Sequence, residues 1–318
     1  MRFHVIALKT MEDMFSLRRT LLFLIVIAIV PFLGFASFAG GAPGGSGGDM
    51  FSSTTFAMQN QMVVGFFIVL AFMWIGGIPL VLLASVTCGD FISKEDQDGT
   101  LLLLVSKPVR RYEIIIGKFL AFMLNAMLLE AAALLVSLLT ITSLMQIDVY
   151  IFNNLLSILP YMFLYSVFVA FIFGCIATSL SSLFKSRIKT IMILVSITIL
   201  IFFGFMVMRG WLIAFGAYET YSLNYVDVNY HLGNSYLFFI DSSGFRMMPI
   251  YQGMMGGFTG TYDAADIGKL FDRDMGALPP SLEPKSYNTP AVSILIWTCI
   301  ALLLLFAGMI KFERKEVR

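Results

Sequence analysis

Histidine and cysteine are scarce in this sequence: His4 and His231, then Cys88, Cys175 and Cys299, in 318 residues. No Cys-x-x-Cys, His-Glu-x-x-His or paired Cys/His spacing occurs, which excludes the common zinc and thiol-redox sites. The three cysteines fall in or at the ends of apolar segments, so no disulfide framework is expected. Charge is thin as well: 13% of residues are charged against 58% hydrophobic, and the net charge is +1. That balance leaves no electrostatic footprint for nucleic acid. Gly-x-x-x-x-Gly-Lys-Ser/Thr is absent, so no phosphate cradle of that kind is present.

What remains is long apolar runs, with a mean hydropathy of +0.87. A bilayer core needs about 20 apolar residues per helix. Six stretches are long enough, over residues 20–39, 62–88, 114–145, 154–180, 190–209 and 291–310. The reading is an all-α integral membrane protein with six transmembrane helices. Gly76, Gly77 and Pro79 should bend the second span. Sixteen of the 21 Lys and Arg residues lie in the N-terminus, the second-to-third and fourth-to-fifth connections and the C-terminus. By the positive-inside rule, both termini and both basic loops are cytoplasmic.

Phe3, Ile6, Thr10, Met14 and Leu17 recur at helical spacing, which predicts an N-terminal interfacial helix over residues 1–17. Ala36-Ser37-Phe38-Ala39 resembles a signal cleavage site, but the orientation needs this segment as a span. Residues 40–49 read as a low-complexity glycine-rich linker. Residues 210–290 form an extracytoplasmic segment with eight acids and four bases. Its tyrosines, Tyr218, Tyr221, Tyr225, Tyr230 and Tyr236, suit the outer interface. The organisation is thus 1–209 (interfacial helix, five spans and cytoplasmic loops), 210–290 (external segment) and 291–318 (sixth span and tail).

Few motifs carry chemistry, and no catalytic residue is assigned. Gly44-Gly45-Ser46-Gly47-Gly48 matches a nucleophile pattern only formally, because it sits in a linker without a histidine partner. Gly89-Asp90 and Tyr262-Asp263 only faintly resemble intramembrane aspartyl proteases. Met247, Met248, Met254 and Met255 could hold a soft metal, but packing is the plainer reading and no metal site is assigned. Ser166, Ala170, Gly174, Thr178 and Ser182 recur every four residues, a pattern that lets helices approach closely, first of all within the chain and alternatively against a second copy of it. Glu130 is the one acid inside a span. It lies about 24 Å along its helix from Ile114, and Arg209 lies about 28 Å from Thr190. The two are candidates for an intramembrane pair or a substrate contact.

The most informative segment is the loop between the second and third spans. Leu101, Leu102, Leu103, Leu104 and Val105 form an apolar run far too short to cross a bilayer. Glu95, Asp96 and Asp98 precede it, and Lys107, Arg110 and Arg111 follow. Such a run needs burial at the interface or against a partner. The pattern Glu95, Gly99, Thr100, Leu104, Pro108, Arg111, Gly117, Lys118 resembles the permease subunits of type-2 ABC exporters. The six-span plan with an interfacial helix fits the same resemblance.

The resemblance implies a cytoplasmic coupling helix, with Leu101, Leu103 and Leu104 docking onto a separate ATPase subunit. Residues 181–189, with Phe184, Lys185 and Arg187, would make a second, smaller contact. Two permease copies, or this chain and a paralogue, would pair in the cell membrane. ATP and Mg would sit on the partner, and this chain would bind no cofactor. The few polar groups in the spans favour a lipid-like or amphipathic cargo moved outward. A non-transporting scaffold or assembly factor, and a secondary transporter or channel, are the competing readings.

Overall fold

A computed structural model describes residues 3–14, 17–38, 55–100, 110–145, 147–262, 282 and 284–314. The described residues are helical, with no strand beyond an isolated bridge between Tyr262 and Pro284. Helix α1 spans Phe3–Met14 and α2 spans Leu17–Phe38. Then come α3 (Phe56–Leu70), a π-turn (Ala71–Ile75), α4 (Ile78–Gly89) and the short α5 (Ser93–Gln97). Two 35-residue helices follow, α6 (Arg111–Met145) and α7 (Val149–Leu183). After them α8 (Arg187–Ile199) runs through a second π-turn (Leu200–Gly204) into α9 (Phe205–Ala214). The next segment holds α10 (Ala217–Thr220), α11 (Val228–Asp241) and α12 (Pro249–Thr259), and α13 (Pro290–Glu313) closes the described chain.

Five helical runs are long and apolar enough to cross a membrane: Phe56–Gln97, Arg111–Met145, Val149–Leu183, Arg187–Ala214 and Pro290–Glu313. In α2 the apolar stretch Thr20–Ala36 is shorter. At 1.5 Å per residue, α6 and α7 are each about 53 Å long. Both therefore outreach a hydrocarbon core of about 30 Å, so their ends stand in the headgroup layer or beyond. Helix α6 runs without a break. The run Phe56–Gln97 breaks between α3 and α4, where Gly76, Gly77 and Pro79 stand. Pro79 has no N–H to carry the ladder across the break, and Gly77 has φ −107° and ψ −115°. The π-turn takes up the change of direction.

Helix α7 is the hub, packing against α13, α4, α6 and α11. Lipid offers no hydrophobic drive for helices to associate, so close contact has to come from small residues. A Cβ on Gly174 would meet the Phe122 ring at 2.7 Å, and one on Gly308 would meet Ser179 Cα at 2.8 Å. The Ser182 hydroxyl also lies 3.1 Å from the Gly308 carbonyl. The four-residue stripe of α7 therefore packs within the chain. Helix α1 packs along α6; the side chains of Phe3, Ile6 and Leu17 lie outside the described residues, as do residues 40–49.

Among the described residues, 217–262 form a cap of short helices against the bundle. Its aromatic start does not simply line an interface. Tyr221 and Tyr225 are exposed, whereas Tyr218, Tyr230 and Tyr236 are buried. Helix α11 packs between α7 and α13 and reaches α3. Tyr236 donates to the Ile68 carbonyl at 2.7 Å, and its ring lies 4.7 Å from Tyr165 and 5.2 Å from Phe72. Met247 and Met255 are core residues, which fits the packing reading of the methionine cluster.

Candidate functional site

At the end of the bundle that carries most of the basic residues, α5 is held by three other helices. Its first backbone N–H groups have no partner within the helix. Ser181 of α7 supplies one, its Oγ accepting from Ile92 N at 2.9 Å and Ser93 N at 3.1 Å. Lys118 of α6 is buried, and its Nζ donates to Glu95 Oε1 at 2.5 Å and to the Phe91 carbonyl at 2.7 Å. Arg187, the first residue of α8, donates through Nε to Asp90 Oδ1 at 2.8 Å and through its backbone N–H to Gln97 Oε1 at 3.1 Å. The two ion pairs differ in weight. The Lys118–Glu95 side chains are 9% and 25% exposed, while Arg187 is 43% exposed and more open to salt screening.

Helix α5 is capped at Asp98, and Gly99 follows with a φ of +70° that suits glycine. Beside it the Thr100 hydroxyl is 3.4 Å from the Glu95 carbonyl. Leu101, Leu103, Leu104 and Pro108 lie outside the described residues. The chain re-enters at Arg110, whose N–H meets Glu113 Oε2 at 3.3 Å at the start of α6. Lys118 is the hub of the clamp, and Arg111 donates to the carbonyls of Phe312 and Glu313, each at 3.2 Å, satisfying the C-terminal end of α13. Phe184 and Lys185 form the turn between α7 and α8; of the three residues in the second loop, Arg187 makes the described contacts with the clamp. Asp90, Gln97 and Ser181 escape a sequence reading because their partners are 88 to 97 residues away.

The Glu130–Arg209 pair does not form. Arg209 faces Asp227, with Nε to Oδ2 at 2.7 Å and Nη2 to Oδ1 at 3.2 Å. Its Nη1 also donates to the Phe258 carbonyl at 3.1 Å. Similar depth along two helices does not bring two side chains onto facing surfaces, and a bidentate carboxylate next to the end of α9 is the better partner. Glu130 is 1% exposed, and neither of its oxygens has a hydrogen-bond partner among the described residues.

Asp227 also caps α11, accepting from Tyr230 N at 3.1 Å, and it accepts from the Tyr218 hydroxyl at 2.9 Å. Burial together with this carboxylate pushes the Tyr218 phenol up. An Asp just before an apolar helix is an N-cap signal, the one clue the sequence offered to this residue. One turn on, His231 Nε2 lies 3.1 Å from the Tyr225 carbonyl and Nδ1 lies 3.0 Å from Ser293 Oγ. The carbonyl can only accept, so Nε2 carries the proton and Nδ1 accepts from Ser293. Asn234 completes the chain by donating to Ser293 Oγ at 3.1 Å.

Burial holds the His231 imidazole below its usual range. The unfolded chain therefore takes up a proton first, and cap stability should fall as pH drops through about 6.5. Hydrogen exchange across residues 228–241 at stepped pH checks this, with His231→Gln expected to flatten the dependence. Equal pH dependence in both proteins would remove His231 as its source.

A helix broken between α3 and α4, two very long central helices, a cap of short helices and a clamped turn follow one another from α1 to α13. A model of the ABC-2 family transporter proteins matches residues 4–317. The chain belongs to this family. No curated protein matches it. As an ABC-2 family permease it is a multi-pass membrane protein and a transport component, not itself a catalyst. Membership implies an ABC ATPase partner and typically a dimer.

Proposed function

We propose that this chain is the transmembrane permease subunit of an ATP-driven exporter that moves a lipid-like or amphipathic cargo out of the cytoplasm. In this reading α2 is the first of six spans, and both termini and the clamped end face the cytoplasm. A separate ATPase carries ATP and Mg, and a second permease copy or a paralogue completes the pathway in the cell membrane. Leu101–Val105 docks onto the ATPase, with Phe184, Lys185 and Arg187 beside it, and residues 210–290 cap the outer side. The clamp around α5 supports the reading. It ties the base of the 101–109 loop to α6, α7 and α8, so a push on that loop would pass to three helices rather than be lost in one.

Leu103→Asp and Leu104→Asp are each expected to abolish recovery of an ATPase with the affinity-tagged chain from membranes, because a charge cannot occupy an apolar docking surface without a partner. Undiminished recovery with both variants would overturn the docking role. Failure of any ATPase to co-purify with the wild-type chain would favour the scaffold or secondary-transporter readings.

A further inference from the structure

Helices α9 and α10 meet in a corner that holds large side chains in the open. The run leading to it, Arg187–Ala214, is long and apolar enough to cross a membrane. At 1.5 Å per residue it is about 42 Å long, which matches a bilayer with its headgroups, about 40–45 Å. Arg187, at its start, is 43% exposed and bound to Asp90, so that end stays out of the hydrocarbon. The other end therefore arrives in the opposite headgroup layer. Ile188, Met192, Phe203, Val207, Trp211 and Phe215 are all exposed. Their steps of four residues before and after the π-turn put them on one side of each helix. The face that meets lipid thus continues to Trp211 and Phe215, whose rings stack at 6.3 Å.

The chain does not rise away from that layer as a free strand. Gly216, with φ +65°, turns it, and its N–H reaches the Ile213 carbonyl at 2.9 Å. Helix α10 then packs back on α9, and the Thr220 hydroxyl donates to the Gly216 carbonyl at 2.8 Å. A 3-10 turn over Leu223–Tyr225 follows. It is entered through Ser222, which holds φ +49° although it is not glycine. Tyr225 N–H meets the Ser222 carbonyl at 3.2 Å, and Val226 N–H meets the Leu223 carbonyl at 3.0 Å. His231 holds the Tyr225 carbonyl and Asp227 holds the Tyr218 hydroxyl. The corner is therefore fixed from inside through Tyr218, while Tyr221, Tyr225 and Val226 stay exposed, Tyr221 at 73%.

A fixed group of exposed aromatic side chains calls for a partner. Charge narrows the choice. Between Gly210 and Val226 the only charged residue is Glu219, and its carboxylate accepts from the Tyr287 hydroxyl at 2.8 Å. The corner offers nothing to an acidic or a basic protein surface. It offers Trp and Tyr rings with polar tips beside Phe and Val, the composition that suits the boundary between acyl chains and headgroups. Of the longer stretches outside the described residues, 101–109 begins and ends at the clamp and 39–54 is rich in glycine. The third, 263–281, carries Asp263, Asp266, Lys269, Asp272, Arg273 and Asp274. None is composed or placed to cover aromatic rings here.

We propose that residues 211–226 are a membrane-binding foot that lies in the headgroup layer remote from the clamp, with Trp211, Phe215, Tyr221, Tyr225 and Val226 inserted among the lipids. The partner is the bilayer itself. Through Tyr218 and Asp227 the foot sets the depth of the buried Arg209–Asp227 pair, and with it the start of α11. The inference rests on Arg187–Ala214 crossing the bilayer and does not depend on ATPase partnership or cargo class.

The test uses the purified full chain in phosphatidylcholine nanodiscs, the lipid brominated either high on its acyl chain or near its methyl end. Fluorescence of wild type minus Trp211→Phe isolates Trp211. The shallow bromine should quench it about twofold more than the deep one, as for a side chain about 5–10 Å into the headgroup and acyl boundary. The decisive positions lie beyond the turn. Tyr221→Trp and Tyr225→Trp, each made in the Trp211→Phe chain and read against it, should show the same shallow pattern. Stronger quenching by the deep bromine, or no quenching at either position, would overturn the proposal, because the corner would then stand in hydrocarbon, in water or under another part of the chain. Tyr221→Cys in a Cys299→Ser chain should form no disulfide between copies in the same nanodisc. A disulfide there would assign the surface to a second copy and overturn the proposal as well.

Discussion

Arg209→Met is expected to destabilise the folded chain by about 3–5 kcal/mol, because it leaves the Asp227 carboxylate buried without its cation. The pair is 4% and 2% exposed, so solvent cannot take over. Asp227→Asn keeps an N-cap for α11, since Asn caps as well as Asp, and it strands Arg209 instead. The double change removes both charges and should cost less than the sum of the two single changes, with a coupling of about 0.5–3 kcal/mol. Thermal and denaturant unfolding of the three variants measures this. Additive effects would mean that Arg209 and Asp227 act independently. Because Arg209 also holds the Phe258 carbonyl at the end of α12, exchange in both α11 and α12 should rise in Arg209→Met.

Lys118→Met should have the largest effect at the opposite end. It strands Glu95 and strips the Phe91 carbonyl of its donor, at a cost of about 3 kcal/mol to the clamp. Glu95→Gln should cost less, because Lys118 keeps the Phe91 carbonyl. The expected outcome is a chain that inserts normally, loses hydrogen-exchange protection over residues 93–100 and no longer stimulates its partner's ATP hydrolysis. Retained protection at α5 would show that the Ser181 and Arg187 contacts suffice alone. Arg187→Met should do less than Lys118→Met, since its side chain is 43% exposed against 9% for Lys118.

Hydropathy and punctuation carried most of the architecture. Apolar runs of bilayer length fix helices wherever the backbone must satisfy itself, and Gly76, Gly77 and Pro79 marked the break between α3 and α4. The α7 stripe of small residues was legible for the same reason: a four-residue period puts them on one helix face. Glu130 stood out as a lone intramembrane acid, and Lys118 as part of a loop pattern.

Partners were not legible. Glu130 and Arg209 match in depth, yet depth is only one coordinate. The rotation of each helix about its axis decides which faces meet, and that is set by packing across the whole bundle. So Arg209 turned to Asp227 of the cap, Lys118 to Glu95, and Arg111 to the end of α13. The cap was misjudged for a related reason. A segment rich in Tyr, Gly and Asp has no strong period, and only its fit between α7 and α13 makes Tyr230 and Tyr236 core residues. By itself the sequence determined the helices, their breaks and the asymmetry of charge, because these depend on local composition and the thickness of a membrane. Which charges pair, which carboxyl stays alone and which loop residues become structural were decided by the tertiary structure, because only close packing removes the water that would otherwise satisfy each of them.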